Sequence, residues 1–260
     1  MRVLALAPHP DDEVLGCGGA LALAAARGED ARVLVVFDGA LGDPLGRFER
    51  ATYVARRRAE ALAAGAALGL APGAYRFWAL PEGHAPADAE LLAGARRLAA
   101  LVDELRPDVV YAPWIGEGRR DHATVARAAR LALELAAFTG QAWGYEVATP
   151  LTPARTLDVG AVWERKLAAL RAHETQLAYR DLVGAATRSA APRARGLAGG
   201  SGRAEAFVPL GRPDEADARL LGARGSPAPL AAHRPVDEDL ASAGARTAAR
   251  ARRVRGPRTP

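Results

Sequence analysis

The sequence predicts an α/β protein, a three-layer α/β/α sandwich built around a mostly parallel sheet. Two observations carry this prediction. Short apolar runs alternate with long helical patterns, and Arg106-Pro107-Asp108 closes one helical pattern directly before an apolar run. Alternation of this kind produces βαβ units with right-handed crossovers. The sequence therefore favours a Rossmann-like arrangement of strands and helices.

The predicted elements follow one another in a regular order along the chain. Apolar runs of strand length are separated by Ala-rich and Leu-rich stretches that have the length and the apolar spacing of helices. Strands are predicted at residues 3–7, 32–37, 75–80, 108–112 and 142–148. Helices are predicted at residues 14–28, 49–69, 87–105, 121–138 and 162–179.

The pattern predicts one folded domain followed by a tail. The chain has 260 residues, half of them apolar, which is enough to bury a substantial core. We expect the domain to span residues 1–209. Residues 210–260 are rich in Ala, Arg and Pro and carry no core-building pattern beyond one short helical stretch at 215–221, so we expect a disordered tail.

Charge and cysteine content narrow the class of protein. Residues 241–260 contain six arginines and no acid, and removing them from the net charge of +5 leaves residues 1–240 at −1. A solvated terminus is favoured over nucleic-acid binding, which stays an alternative. Cys17 is the only cysteine, which excludes an intrachain disulfide and a thiolate metal cluster. We expect a cytoplasmic protein without a membrane segment, and a homo-oligomer is left open.

Three residues have the chemistry and placement of metal ligands. His9 and Asp12 follow the first predicted strand, and His122 follows the strand at 108–112. Because parallel strands end on one edge of a sheet, the three side chains can meet and leave a fourth position for water, as catalytic zinc requires. Asp11 is then a candidate general base. The alternative is that these acids only cap the following helix and that His122 is exposed.

A family resemblance supports the metal-site interpretation. Residues 8–19, Pro-His-Pro-Asp-Asp-Glu-Val-Leu-Gly-Cys-Gly-Gly, closely resemble the opening motif of the PIG-L or LmbE-like N-deacetylase family. Further matches are Arg-Arg-Ala-Glu-Ala at 57–61, Asp-His-Ala-Thr-Val at 121–125, the segment 166–176 with its His-Glu-Thr-Gln ending, and residues 193–208. The resemblance covers residues 1–209.

The resemblance implies a fold, an activity and a set of roles. The fold is Rossmann-like, and the activity is zinc-dependent hydrolysis of N-acetyl groups, most often from molecules containing N-acetylglucosamine. The expected partner is therefore a small N-acetylated sugar or glycoconjugate. Carried onto matching positions, His9, Asp12 and His122 are the ligands of one zinc ion, or of another divalent metal, and Asp11 is the base.

Two other matching segments contain candidate pocket residues, each of which also has a purely structural interpretation. Arg57 corresponds to a family arginine that is expected to contact the acetyl or sugar oxygens, and the alternative is a salt bridge to Glu60 one helical turn away. His173 and Gln176 are spaced by one helical turn and can line the pocket, although a packed or exposed helix face is the favoured interpretation.

The chain departs from the family pattern at Arg119. Many members have His-Pro-Asp-His in this segment, and the first histidine polarises the scissile carbonyl or steadies its oxyanion. An arginine can neutralise a developing oxyanion but cannot donate and retake a proton. Asp121 is expected to orient His9, His122 or Asp11 through a hydrogen bond. The departure leaves two alternatives to deacetylation: another metal-dependent deacylase, such as a conjugate amidase, and a catalytically impaired sugar-binding protein.

Overall fold

Seven strands form one sheet in residues 1–83, 85–195, 197 and 199–222, the part of the chain that the computed structural model describes. The strands are β1 (Arg2–Ala7), β2 (Asp30–Phe37), β3 (Tyr75–Leu80), β4 (Val109–Pro113), β5 (Gln141–Tyr145), β6 (Arg155–Asp158) and β7 (Ala204–Pro209). The helices are α1 (Asp12–Ala26), α2 (Arg50–Leu68), α3 (Asp88–Leu105), α4 (Arg120–Leu135), α5 (Trp163–Arg171), α6 (Glu174–Leu177), α7 (Leu182–Arg193) and α8 (Glu215–Leu220).

The sheet has the order β3-β2-β1-β4-β5-β7-β6. Strands β1 to β5 are parallel, and β7 runs antiparallel to both β5 and β6. The mostly parallel sheet expected from the sequence is confirmed. Because β1 and β4 are neighbours, with Val3 opposite Val109, the loops that follow these two strands leave the sheet side by side.

Helices cover both faces of the sheet. Side chains alternate along β1, so that Val3, Ala5 and Ala7 join a core cluster with α1, α2, α5 and α7. Leu4 and Leu6 point to the other face and join a cluster with α3 and α4. The expected three-layer α/β/α sandwich is confirmed.

Helix α1 is kinked at Cys17, whose backbone is not helical (φ −138°, ψ 19°). The kink frees backbone N–H groups in the helix interior, and the buried carboxylate of Glu205 on β7 accepts from Gly19 N at 2.6 Å and Ala20 N at 2.9 Å. The Nζ atom of Lys166 donates to Glu205 Oε1 at 2.6 Å and neutralises it. The chain's only lysine therefore stabilises the helix that carries Asp12.

The structure differs from the prediction in one divided helix and in three elements that were not predicted, β6, β7 and α7. The helix expected at 162–179 is two helices, α5 and α6, because His173 has non-helical dihedral angles (φ −84°, ψ 59°). Strand β6 has four residues, too few for a visible alternation. Helix α7 was not predicted, because its Ala-rich sequence shows little contrast between a polar and an apolar face.

The segment after β7 continues as the short helix α8, in agreement with the helical pattern at 215–221. Its buried Asp217 accepts from Arg127 of α4 at 2.6 Å, so this segment is attached to the domain. Most of the tail expected at 210–260, with the arginines of 241–260, lies outside the described residues. Among the helices that are described, none has a stretch long and apolar enough to cross a bilayer.

Candidate metal centre

His9, Asp12 and His122 meet at the carboxyl edge of the sheet. All three are buried, and one donor atom from each lies within 4.8 Å of the other two. Both histidines face the same oxygen, Asp12 Oδ2, at 3.1 Å from His9 Nδ1 and 3.3 Å from His122 Nε2. The structure therefore brings the three residues together, and their role as ligands stays a prediction.

The turn that carries these residues is strained at Asp11. Its φ of 138° and ψ of −25° fall in a region that residues other than glycine rarely occupy. The turn is closed by Asp12 N donating to His9 O at 3.3 Å and by His9 N donating to Asp12 Oδ2 at 2.9 Å. Strain of this kind is frequently found at functional sites, where surrounding contacts maintain it.

The buried groups around His122 fit a divalent cation. Neither ring nitrogen of His122 makes a well-formed hydrogen bond within the described residues, although Asp12 Oδ2 lies 3.3 Å from Nε2 and Glu117 Oε2 lies 3.7 Å from Nδ1. Burial lowers the pKa of His122, but Asp12 and Glu117 outweigh it and raise the pKa to about 9. The site thus attracts positive charge. Two imidazoles and one carboxylate are a donor set that zinc accepts, and a bound divalent ion would supply the charge.

Asp11 is paired with the guanidinium of Arg57. Its Oδ2 lies 3.0 Å from Arg57 Nη2. Burial raises the pKa of the Asp11 carboxyl to about 6, although Arg57 opposes the rise. A carboxyl group with a pKa in this range can accept a proton near neutral pH and return it later, which suits a general base.

The guanidinium of Arg57 is buried and makes contacts to the backbone as well. It donates to Pro10 O at 2.6 Å and to Gly39 O at 2.9 Å. The alternative partner, Glu60, instead accepts from the backbone N and the hydroxyl of Thr175, at 3.0 Å and 2.6 Å. Contact between Arg57 and a substrate stays a prediction, whereas its contact with Asp11 is observed.

Asp121 and Arg119 lie at the start of α4. Of the three partners considered for Asp121, the structure has it beside His9, with Oδ2 3.1 Å from Nε2. Arg119 is the N-cap residue of α4 and is partly exposed. Burial raises the pKa of Asp121, but His9 and, more weakly, Arg119 outweigh it and hold the pKa below its ordinary value. The oxyanion role of Arg119 stays a prediction.

Two acids at the site were not identified from the sequence. Glu82 Oε2 lies 2.9 Å from His9 Nε2, beside Asp121. Glu117 Oε2 lies 3.7 Å from His122 Nδ1. Glu82 comes two residues after β3 ends and Glu117 lies in the loop after β4, so the only available signal was their position at the carboxyl ends of parallel strands.

His173 and Gln176 are both buried at the junction of α5 and α6. Gln176 Nε2 donates to the hydroxyl of Tyr53 at 2.6 Å and to Gly42 O at 3.3 Å. Neither ring nitrogen of His173 has a hydrogen-bond partner in the described part of the chain. Burial, with a smaller effect of Arg57, lowers the pKa of His173 to about 3, so this imidazole is neutral.

Comparison with known proteins agrees with this geometry. A family model described as "PIG-L: GlcNAc-PI de-N-acetylase" matches residues 4–133, which contain every predicted ligand and the candidate base. The chain belongs to the PIG-L family. The resemblance noted in the opening motif is therefore confirmed. The match ends within α4, before the segments that contribute Lys166 and His173.

Curated relatives carry deacetylase names. The 1D-myo-inositol 2-acetamido-2-deoxy-alpha-D-glucopyranoside deacetylase of Mycobacterium sp. (strain KMS) is 32% identical over 228 residues, covering 68% of this chain and 74% of that protein. The diacetylchitobiose deacetylase of Thermococcus kodakarensis is 28% identical over 198 residues, covering 67% and 70%. Both relatives are thus named for N-acetylated glucosamine substrates.

A solved structure with this fold has a different activity in its name. GalB, the 4-carboxy-2-hydroxymuconate hydratase from Pseudomonas putida KT2440, is 25% identical and aligns with a TM-score of 0.68, covering 80% of this chain and 95% of its own. The fold alone therefore does not decide the reaction, and the assignment must rest on the residues of the site.

Proposed function

We propose that this chain is a zinc-dependent N-deacetylase that removes the acetyl group from an N-acetylglucosamine-type amino sugar or its conjugate. The observation that carries the proposal is the convergence of His9, Asp12 and His122 next to the buried carboxylate of Asp11. The names of the curated relatives support an N-acetylated glucosamine as the substrate class.

The proposed metal site is formed by Nδ1 of His9, a carboxylate oxygen of Asp12 and Nε2 of His122. A zinc ion held there would supply a Lewis acid that polarises the acetyl carbonyl and lowers the pKa of a water molecule. Asp121 and Glu82 accept from the far nitrogen of His9 and so orient its ring towards Asp12.

Asp11 handles the proton in the proposed reaction. Its carboxylate accepts a proton from the water whose oxygen bonds to the acetyl carbon. The carbon–nitrogen bond then breaks, and Asp11 returns the proton to the departing nitrogen, which gives acetate and the free amine. Arg57 holds Asp11 in place through the contact at 3.0 Å.

Arg119 is proposed to stabilise the negative charge that develops on the acetyl oxygen. Its guanidinium is permanently charged, so it contributes electrostatic stabilisation without exchanging a proton. Both proton transfers therefore fall to Asp11. This division differs from the one implied for family members with a histidine at this position.

The remaining proposals concern the extent of the catalytic domain, its cellular compartment and its partners. We propose residues 1–209 as the catalytic unit, to which α8 attaches through Asp217 and Arg127. The cytoplasm is the proposed compartment, and the single buried Cys17 suits reducing surroundings. The proposed partner is a small N-acetylated sugar, and assembly into a homo-oligomer stays a prediction.

Acetate release tests the proposed function directly. The zinc-loaded chain is incubated with N-acetylglucosamine, N-acetylglucosaminyl-inositol and diacetylchitobiose, and acetate and free amine are quantified. We expect equal amounts of both products from at least one of them. Asp11→Ala should abolish release, whereas Asp30→Asn, which alters an exposed carboxylate at the start of β2, should not.

Other outcomes identify the alternatives. Turnover by Asp11→Ala at the normal rate would contradict the role of Asp11. Release of a different acid from a panel of N-acyl amides, without acetate, would indicate another deacylase. Zinc binding without hydrolysis of any amide, together with activity gained by Arg119→His, would indicate a sugar-binding protein that has lost turnover.

A further inference from the structure

Glu117 connects the proposed metal centre to a neighbouring loop. It lies between β4 and α4, and its side chain is completely buried. The Oε1 atom accepts from Val147 N at 2.6 Å and Ala148 N at 3.1 Å, and Thr149 N lies 3.3 Å from both carboxylate oxygens. The Oε2 atom is 3.7 Å from Nδ1 of His122. One carboxylate thus faces both the 147–149 loop and a predicted ligand.

The two nitrogens of His122 face different acids. Nε2 lies 3.3 Å from Asp12 Oδ2, and Nδ1 faces Glu117. A ring nitrogen that binds a cation must carry no proton, and a neutral imidazole then carries its proton on the other nitrogen. With Nε2 directed at Asp12, that proton is on Nδ1 and points at Glu117. The buried carboxylate therefore favours the tautomer that binds a cation.

We propose that Glu117 is a positioning residue for the metal centre: it fixes the tautomer and orientation of His122 and couples the 147–149 loop to metal affinity. The inference rests on the proposed function, because it assumes that His122 is a ligand. It adds a residue that neither the sequence motif nor the family resemblance assigns. Carboxylates in this position typically raise metal affinity or activity 10- to 100-fold.

A purely structural role for Glu117 makes a different prediction. If the carboxylate only anchored the 147–149 loop, Glu117→Gln would lower stability but leave zinc affinity unchanged, because the amide oxygen still accepts from Val147 N while the NH2 group replaces the oxygen that Ala148 N and Thr149 N also approach. The amide NH2 would then face Nδ1–H of His122, and two donors cannot form a hydrogen bond. Glu117→Gln therefore separates the contact to His122 from the contact to the loop.

The test is the zinc affinity of the full chain. Dissociation constants are measured by competition with a chelator for the wild-type protein, Glu117→Gln and the matched control Glu146→Gln. Glu146 lies on the same edge and accepts from Ser189 and Arg193, but contacts no predicted ligand. We expect Glu117→Gln to bind zinc about 10 to 100 times more weakly. Glu146→Gln should stay within about twofold of the wild-type affinity.

A second readout depends on the proton of His122. In the zinc-loaded wild-type protein, Nδ1–H should give a downfield imidazole resonance that is lost or shifted in Glu117→Gln. Deacetylase kcat at saturating zinc should largely recover, because the loss is in metal affinity. An unchanged zinc dissociation constant in Glu117→Gln would overturn the inference.

Folding and function are separated by two further measurements. If Glu117→Gln does not fold, the variant Glu117→Asp is measured instead. Its shorter side chain keeps the charge but cannot reach both the loop and His122. We therefore still expect weaker zinc binding. Wild-type affinity in that variant would also overturn the inference. A wild-type protein that binds no zinc would instead contradict the proposed function.

Discussion

Arg57 and Asp11 form a buried ion pair, with Nη2 3.0 Å from Oδ2 and both side chains almost fully excluded from solvent. The pair joins α2 to the turn that precedes α1. Because Arg57 also donates to Pro10 O in the same turn and to Gly39 O in the loop after β2, three groups determine its position. The guanidinium therefore fixes the carboxylate to which the proposed mechanism assigns both proton transfers.

Removing the cation from this pair should destabilise the protein. Arg57→Met keeps much of the side-chain volume but leaves a buried carboxylate without its partner, which typically costs about 3 to 5 kcal/mol. Urea unfolding at pH 7 measures the change in the free energy of unfolding. The double variant Arg57→Met/Asp11→Asn contains neither charge and should be more stable than Arg57→Met alone. Additive losses would show that the two residues are not coupled.

Arg119 should affect turnover but not metal binding. Arg119→Ala removes the proposed partner of the developing oxyanion, and the loss of one such group typically lowers kcat by about 100-fold or more. Arg119→Lys keeps a charge and should retain part of the activity. Zinc content should be unchanged in both variants. The matched control is Arg120→Ala, which removes an exposed neighbour, and an equal loss of kcat in that variant would contradict a specific role for Arg119.

His173 should make the protein less stable in mild acid. Burial lowers the pKa of His173 from 6.5 to about 3. Below about pH 6.5 its imidazole is therefore protonated in the unfolded chain but still neutral in the folded protein. The free energy of unfolding then falls as the pH decreases, by about 1.4 kcal/mol per pH unit for this one group. The loss of stability that comes from His173 reaches its full size when the pH has fallen below about 3, where the imidazole is protonated in the folded protein as well.

The pH dependence is measured by urea unfolding of the wild-type protein and of His173→Gln at pH 6.5 and pH 5. We expect the wild-type protein to lose about 1.6 kcal/mol more than the variant across this interval, because the unfolded histidine is only half protonated at pH 6.5. Only the difference in slope matters, because the substitution also changes packing at both pH values. Parallel slopes would show that His173 titrates normally in the folded protein.

The fold and part of the site were predictable because their signals are local. Apolar runs of strand length and helical spacing determine the layers, and His9 and Asp12 follow β1 directly in the sequence. His122 was found because it also follows a strand, β4, and parallel strands such as β1 and β4 end on the same edge of the sheet. Glu82 and Glu117 were not found, since an acid in a loop gives no periodic pattern and acquires its role only from groups distant in the chain.

The division of the segment at 162–179 illustrates the same limit. Helical spacing continues through the segment, yet the structure has a break at His173 because tertiary contacts determine it. Glu60 accepts from Thr175, and Gln176 donates to Tyr53, both residues of α2. A local pattern cannot contain partners that lie more than 100 residues away.

Gly16 and Gly18 form a matched pair that tests why α1 is rich in small residues. A Cβ at Gly16 would lie 2.0 Å from the ring of Tyr145, whose hydroxyl donates to Leu6 O at 2.7 Å. A Cβ at Gly18 would lie 3.3 Å from the side chain of Val14. We expect Gly16→Ala to cost about 1 to 3 kcal/mol, because the ring is held by its hydrogen bond.

Gly18→Ala should be close to neutral, because alanine favours the helix by about 0.5 to 1 kcal/mol and this offsets the small displacement of Val14. Urea unfolding measures both variants. Since α1 begins at Asp12, a shift of the helix away from Tyr145 should also weaken zinc binding in Gly16→Ala and leave it unchanged in Gly18→Ala. Equal stability and equal zinc affinity in the two variants would mean that close packing on Tyr145 is not what requires glycine beside the site.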